Sequence, residues 1–398
     1  MVVQMNFRFR IYPSQKQKVK LINNFKTCKS TYNHLLATSK DAYKFGNVSL
    51  TKFDYDAIIK GYSSDIHSQV LQNVSDRVSK AFANFFRRVK DKSCKEKGFP
   101  RYKSRVMSIT YPQSGFKFIS NKHIQVSKIG NLPIILHRIP KGKIKTLTIK
   151  QTKTSKWFAV FACEVPNVAV QHPSTSKVGI DVGLENFAVM SNGEFIGNPR
   201  PLAKSEARLK VLHRKVSRKA KGSRNRIKAR FRLAKIYERV NNQRSDFLHK
   251  LSRRIAKSYS FIAVEKLQIC NMVQNHHLAK SISDASWSSF INMMSYKAVI
   301  CGGQLVEVDA RRTSMTCSKC GNIQEMPLTM REFVCANCGF VCHRDLNSSY
   351  NILVRADCPE LNAFGHDVRP LAREAVVDEL GTTYGKVLSN QAVGSSIL

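Results

Sequence analysis

The chain has 398 residues, enough for two or three domains at roughly 150 residues each. It carries 66 Lys and Arg against 27 Asp and Glu, a net charge of +39, while 42% of its residues are hydrophobic, the share of a folded chain with a real core. A small acidic ligand would need only a local basic patch, so an excess of this size points to a polyanion and disfavours ordinary small-molecule chemistry.

Residues 5–13 (MNFRFRIYP) alternate apolar and polar side chains and read as a strand. Ser14 and Gln17 then form a capping box, and Leu21, Phe25, Cys28, Tyr32 and Leu35 mark the buried face of the helix it opens. A second helix spans about 67–90, with Leu71, Val74, Val78, Phe82, Phe85, Phe86 and Val89 as its apolar stripe. Residues 99–166 change to short β-type segments separated by Gly, Pro, Asn and Lys, the pattern of a small barrel. The first strand is expected to join that barrel, which makes the helices an insertion. Residues 167–176 read as a linker. KVGIDVG is a new strand, and NFAVMSNGEFIG a hairpin turning at Asn192-Gly193. Residues 202–257 form a long basic helical stretch broken at Lys221-Gly222-Ser223. SFIAVEKL is a buried strand, 286–300 a helix, GQLVEVDA another strand, and a last helix starts near Asp345 with Leu346, Tyr350 and Leu353 on its apolar side. The final forty residues have weak periodicity and are expected to be disordered.

No apolar run approaches the ~20 residues of a membrane span. The opening MVVQMNFRFRIYP lacks a stretch of signal-peptide type. Cys28, Cys94, Cys163, Cys270 and Cys301 are scattered singly, unlike an extracellular disulfide framework. The expectation is a cytoplasmic protein. Cys317-x-x-Cys320 and Cys335-x-x-Cys338 are different: each pair is followed by a glycine, Gly321 or Gly339. Two such knuckles close a tetrahedral four-thiolate shell, so a single structural Zn²⁺ is expected there. Cys342 is read as a spectator. A closed shell leaves no open position for chemistry.

Acids are scarce, so their positions carry weight. Asp181 ends the strand Val178-Gly179-Ile180, Glu265 ends Phe261-Ile262-Ala263-Val264, and Asp345 begins a helix. Acids at strand ends and a helix start can converge at one sheet edge and hold hard divalent cations. Gly183 would let the backbone approach a phosphate. Each acid also has an ordinary reading as a turn residue, an ion-pair partner or a helix N-terminal charge. Glu164, Glu307 and Asp309 are rival candidates.

Residues 204–257 hold twenty Lys and Arg and three acids, Glu206, Glu238 and Asp246. Leu209, Leu212, Val216, Ile227, Phe231 and Ala234 keep helical spacing, which suggests a helical hairpin with one packed face. Arg214, Lys215, Arg218, Lys219, Lys221, Arg224, Arg226, Lys228 and Arg230 would then face phosphates, positioning a strand rather than reading its bases. His213, His276 and His277 are read as surface or hydrogen-bonding residues, and Trp287 as core. Phe99 and Tyr102 could pack or stack.

The segments VGIDVG, FIAVEKL, SISDASW, TSMTCSKCG, CANCGFVCHRDLNSSYNI and GFPRYK resemble the TnpB (OrfB) family. These are RNA-guided nucleases of bacterial and archaeal insertion sequences, related to compact type V CRISPR effectors. The resemblance covers roughly 7–355, is dense over 177–353 and is thin across the β-rich region. It implies a multidomain α+β chain. A wedge-type β-barrel (1–14 and 97–170) would carry an inserted helical recognition domain (15–96). After a linker (171–176) would come an RNase H-like, RuvC-type α/β nuclease domain (177–316 and 339–356) with an inserted zinc ribbon (317–338), then a tail (357–398).

The resemblance also assigns roles. Asp181, Glu265 and Asp345 match the family's catalytic acids, which would hold two Mg²⁺ ions, with Mn²⁺ as a substitute, for two-metal hydrolysis of a phosphodiester. The implied partners are a guide RNA from the element's own end and double-stranded target DNA, cut beside a short target-adjacent motif by one protein per RNA in a prokaryotic cytoplasm. His343 departs from the pattern, since many relatives have Asp before the Arg. The competing readings are a guide-RNA-bound regulator or transposition accessory protein without cleavage, and a guide-independent structure-specific nuclease.

Overall fold

The computed structural model describes residues 2–62, 65–91, 98–166, 171–327 and 329–357, together with a two-residue strand at 377–378. The expected disordered tail otherwise lies outside the described residues. The chain divides into two compact units, Val2–Val165 and Pro166–Leu398. Among the described residues no helix is long and apolar enough to cross a membrane.

The first unit opens with strand β1 (Val2–Ile11) and helix α1 (Gln15–Gly46). The expected capping box is present: the Ser14 hydroxyl accepts from the Gln17 amide at 3.3 Å, and Gln17 Oε1 accepts from the Ser14 amide at 2.9 Å. Gln17 also donates to Asn131 O at 2.7 Å, which ties the helix start to the sheet. A short helix α2 (Lys52–Ile59) follows under its own capping box, Thr51 with Asp54, and precedes α3 (Ser68–Lys90). Strands β2 (Ser108–Pro112), β3 (Phe116–Ser120), β4 (His123–Val126), β5 (Gly130–Ile135), β6 (Lys143–Gln151) and β7 (Trp157–Pro166) complete the unit. The sheet order is β2-β6-β7-β1-β5-β4-β3. β1 lies at the centre of the sheet, so the helices do interrupt it. With β2 and β3 at its two edges, the sheet is a half-barrel where the segment pattern suggests a small barrel. Phe9, Phe161, Trp157 and Tyr111 form its core with Leu21, Phe25 and Leu35 of α1. Phe99 packs here, stacked on Phe85 at 4.6 Å, whereas Tyr102 is half exposed beneath Lys40. Of the α3 stripe, Val89 at the helix end faces outward.

The second unit contains β8 (Lys177–Val182), β9 (Asn186–Met190), β10 (Phe195–Gly197), α4 (Pro201–Ser217), α5 (Arg224–Ser258), β11 (Phe261–Glu265), α6 (Ile269–Met272), α7 (Ala279–Ala285), α8 (Trp287–Ile300) and β12 (Gln304–Val308). Then come β13 (Glu332–Val334), β14 (Val341–His343) and α9 (Arg344–Asp357). The main sheet runs β10-β9-β8-β11-β12. Its first three strands are antiparallel, and β11 lies parallel to both β8 and β12.

Strand alternation assigns the two faces. Val178, Ile180, Ile262, Val264 and Leu305 pack with Leu248, Leu251 and Ile255 of α5 and with Phe290 and Met294 of α8. Trp287 joins this core, as expected. Ala263, Val306 and Val308 pack with Ile352 of α9 on the other face. Gly179 and Asp181 alternate with the first set, so they share the α9 face.

Candidate active site and cysteine centre

The β8–β11 register pairs Gly179 with Ala263 and Ile180 with Val264, so Asp181 and Glu265 follow next on neighbouring parallel strands. Helix α9 crosses the same face and carries Asp345 on its first turn. It can come close because Gly179 has no side chain: a Cβ there would strike Ser349 O and lie 2.8 Å from Leu353 N. The sheet and one helix therefore bring Asp181, Glu265 and Asp345 to one face.

The acids influence one another's titration. Burial, then the charges of Glu265 and Asp345, hold the Asp181 carboxyl well above the ordinary carboxylate range. A side-chain hydrogen bond from Ser348 and the Arg344 charge oppose that rise. Burial also raises Glu265, aided by Asp309 and Asp345, while Thr313 and Arg355 oppose it. Thr313 Oγ1 donates to Glu265 Oε1 at 2.5 Å. Arg331 Nη1 stands 3.9 Å from Asp345 Oδ2 and also pairs with Glu185 at 2.9 Å. Asp181 and Glu265, desolvated and each raised further by neighbouring acid charges inside a chain of net charge +39, form with Asp345 a donor set suited to hard divalent cations. Among the described residues, the set of three or more ligand side chains gathered tightly enough to hold a metal ion is the four cysteines, whose sulfurs all lie within 4.8 Å of one another.

The rival acids are placed elsewhere. Glu164 is on β7 in the first unit, paired with Lys145 at 2.9 Å. Glu307 alternates with Val306 and Val308, so it points to the face opposite α9. Asp309 is near enough to influence Glu265, but its Oδ1 accepts from the Arg311 amide in a surface turn. Gly183 does not offer its amide to a ligand, because that amide is bonded to Phe187 O at 3.2 Å. The glycine serves the tight turn into β9, where a Cβ would lie 3.0 Å from Asn186 O. His343 is more than a surface histidine: its Nδ1 accepts from the Asp345 amide at 3.2 Å and caps the first turn of α9.

Sequence reasoning placed Leu346, Tyr350 and Leu353 on the buried side of α9. Tyr350 is exposed, and Leu346 and Leu353 are half-buried, Leu353 lying against Gly179; the fully buried residues are Asn347, Ser348, Ser349, Asn351 and Ile352. Thr313, Ser348, Asn347 and Asn351 were all missed. The one available signal was two asparagines four apart in a helix otherwise rich in small residues.

The cysteines converge as the spacing predicts. Cys317 Sγ lies 3.8 Å from Cys338 Sγ, and Cys320 Sγ lies 3.5 Å from Cys335 Sγ. Gly321 and Gly339 adopt φ of 75° and 67°, so that their amides bond back to Cys317 O and Cys335 O. β13 pairs with β14 beyond the second knuckle, so this element extends to His343. The Cys338 amide, helped by that of Asn337, pulls the Cys335 thiol down to about 6. The Phe340 amide draws on Cys338 too, but burial and the three neighbouring sulfurs outweigh it and push that thiol up to about 12. Four thiolates this close need a cation, and four sulfur donors fit zinc. Cys342 stays outside the quartet.

α4 and α5 pack against each other as a helical hairpin. Ser223 caps α5 by accepting from the Arg226 amide, and Arg226 Nη1 bonds Lys219 O across the turn. Arg214, Lys215, Arg218, Lys219, Lys221, Arg224, Lys228 and Arg230 are exposed and Arg226 is half-buried. No carboxylate among the described residues lies within ion-pair distance of these nine. The ion pairs sit on the flanks, at Lys210–Glu206 and Lys250–Asp246. Leu209 is buried as expected, whereas Ile227 at the tip is 60% exposed. His213 bonds Tyr237 at 2.8 Å.

Comparison with known proteins is consistent with this layout. Residues 160–276 match the OrfB_IS605 family, described as "Probable transposase", and residues 287–352 match "Cas12f1-like, TNB domain". Residues 1–47 match a "Helix-turn-helix domain" family, although the structure there holds β1 and the single helix α1. A Streptomyces pristinaespiralis protein named "Putative RNA-guided DNA endonuclease" is 33% identical over 384 residues, 92% of each chain. InsQ of Escherichia coli K12, which carries the same description, is 28% identical over 398 residues, covering 92% of this chain and 96% of its own. Among solved structures, the protein of a Cas12f1–sgRNA–target DNA complex aligns with a TM-score of 0.55 at 16% identity, over 85% of this chain and 82% of that one. The multidomain α+β fold is shared with it.

Proposed function

The chain belongs to the TnpB (OrfB) transposase family, and on that premise we propose that it is an RNA-guided, divalent-metal-dependent DNA endonuclease of an insertion-sequence element. The observation that carries this reading is the convergence of Asp181, Glu265 and Asp345 on the α9 face of the second sheet. Three antiparallel strands followed by two parallel ones support an RNase H-like, RuvC-type assignment for that sheet.

Asp181, Glu265 and Asp345 would hold two Mg²⁺ ions, or Mn²⁺, which supply charge neutralisation and water activation for in-line displacement at a phosphodiester. Ser348 and Thr313 orient the Asp181 and Glu265 carboxylates and favour their ionised forms. Arg331 and the His343 cap hold Asp345 at the start of α9. Cys317, Cys320, Cys335 and Cys338 would bind one structural Zn²⁺. The α4–α5 hairpin presents unpaired cations to phosphates of the guide or target strand. Base pairing with the guide would read the target, and the first unit would act as the wedge and recognition lobe beside the target-adjacent motif.

Co-expressing the protein with DNA flanking its own gene, and sequencing the RNA that co-purifies, tests the guided reading. A discrete RNA running from the element's end into flanking sequence is expected. Heterogeneous or absent RNA on folded, zinc-loaded protein would contradict it.

A further inference from the structure

Helix α9 starts beside the carboxylates, yet its buried face is polar. Asn347 and Asn351 lie one turn apart on that face, 0% and 6% exposed. Mid-helix asparagine is a poor helix former, so propensity does not explain either residue. Their hydrogen bonds do. Asn347 Nδ2 donates to Thr316 O at 2.7 Å, and its Oδ1 accepts from the Ser318 amide at 2.9 Å. Ser318 lies inside the first cysteine knuckle, between Cys317 and Cys320. Asn351 Nδ2 donates to Thr313 O at 2.8 Å and to Thr316 O at 2.6 Å. Thr313 then holds Glu265 through its hydroxyl. Both carboxamides therefore grip one segment, 313–318, with Glu265 at one end and the cysteine quartet at the other. On the same helix, Asp345 and Ser348 reach the rest of the acid cluster.

We propose that Asn347 and Asn351 are positioning residues that couple the four-cysteine centre to the carboxylate site. They hold segment 313–318 on α9, so closure of the cysteine knuckle fixes where Thr313 sets Glu265 relative to Asp345. A leucine at 347 would fill the same space and leave the Ser318 amide without its partner, so packing alone does not call for this residue type. The proposal rests on reading Asp181, Glu265 and Asp345 as the nuclease site.

The test uses the full-length chain freed of RNA, with Mn²⁺ alone as the probe. Mn²⁺ binding is read by electron paramagnetic resonance, zinc by elemental analysis and folding by circular dichroism. Asp181→Ala defines the Mn²⁺ bound at the carboxylates. Asn347→Ala and Asn351→Ser are expected to weaken that binding by about 10–100-fold, the usual cost of losing a residue that orients a metal ligand, with zinc and circular dichroism unchanged. Should Asn347→Ala not fold, Asn351→Ser carries the test. Mn²⁺ affinity within about twofold of the parent, far short of that cost, in a folded, zinc-loaded variant would overturn the coupling alone. Mn²⁺ binding indifferent to Asp181→Ala would instead overturn the site reading, and the coupling with it.

Discussion

Gly179 of β8 lies directly under Ser349 of α9, close enough that no side chain fits between strand and helix. This contact brings Asp345 to the C-terminal ends of β8 and β11, where Asp181 is the last residue but one and Glu265 the last. Gly179→Ala should push α9 outward, at about 1–3 kcal/mol for overpacking, or roughly 2–10 °C in melting temperature. Cleavage should fall further than stability does, because the displacement separates ligands. Thermal unfolding and cleavage at 25 °C, compared on one preparation, check this.

The carboxylates should destabilise the protein whenever no divalent ion is present. Asp181 and Glu265 are raised in the folded state, chiefly by burial. A raised carboxyl contributes stability that is full below its unfolded value, near about 4, and is lost as pH rises through the folded value. Without Mg²⁺, the parent should therefore lose stability as pH rises above about 4. Asp181→Asn should flatten that decline and melt higher than the parent at pH 7. Added Mg²⁺ should stabilise the parent and not the variant. Melting curves against pH, with and without Mg²⁺, decide this.

Thr313→Val keeps the shape of the side chain and removes the hydroxyl that donates to Glu265. Cleavage or divalent-ion affinity should drop by about 10–100-fold with folding intact. A titration of Mg²⁺ against cleavage rate would show the requirement moving to higher concentration.

The four-cysteine centre should hold one zinc per chain. Cys335→Ser removes the thiol with the strongest tendency to ionise and should release the metal. Elemental analysis would find substoichiometric zinc, and proteolysis should open the 313–343 region first.

The basic hairpin should act through phosphate charge. Replacing Arg214, Lys215, Arg218 and Lys219 by serine should reduce the slope of log affinity against log salt by roughly 3, at ~0.7–0.9 per phosphate contact. Sequence preference should be unaffected. Binding isotherms at several salt concentrations give the slope.

Much of this was legible before the structure. Periodicity located α1, α3 and α5, because apolar stripes such as Leu21-Phe25-Cys28 record burial against a nearby core. The cysteine spacing and the acids ending β8 and β11 were visible for similar local reasons. The face of α9 was not. Apolar spacing points to Leu346, Tyr350 and Leu353, yet a helix lying over Gly179 and gripping main-chain groups fully buries Asn347, Ser348 and Ser349. Thr313 was invisible because its partner Glu265 is 48 residues away, and no local pattern encodes that hydrogen bond. The solvent-facing Ile227 shows the opposite failure: its helical spacing was right, but the hairpin tip has nothing to pack against.

The most direct measurement is cleavage of a plasmid matching the co-purified RNA, by the parent complex and by Asp181→Ala, with Mg²⁺ present or absent. The account predicts that the parent cuts only the matched plasmid and only with Mg²⁺, while Asp181→Ala binds that plasmid with similar affinity and leaves it uncut. Cutting by Asp181→Ala, or cutting that survives digestion of the RNA, would contradict it.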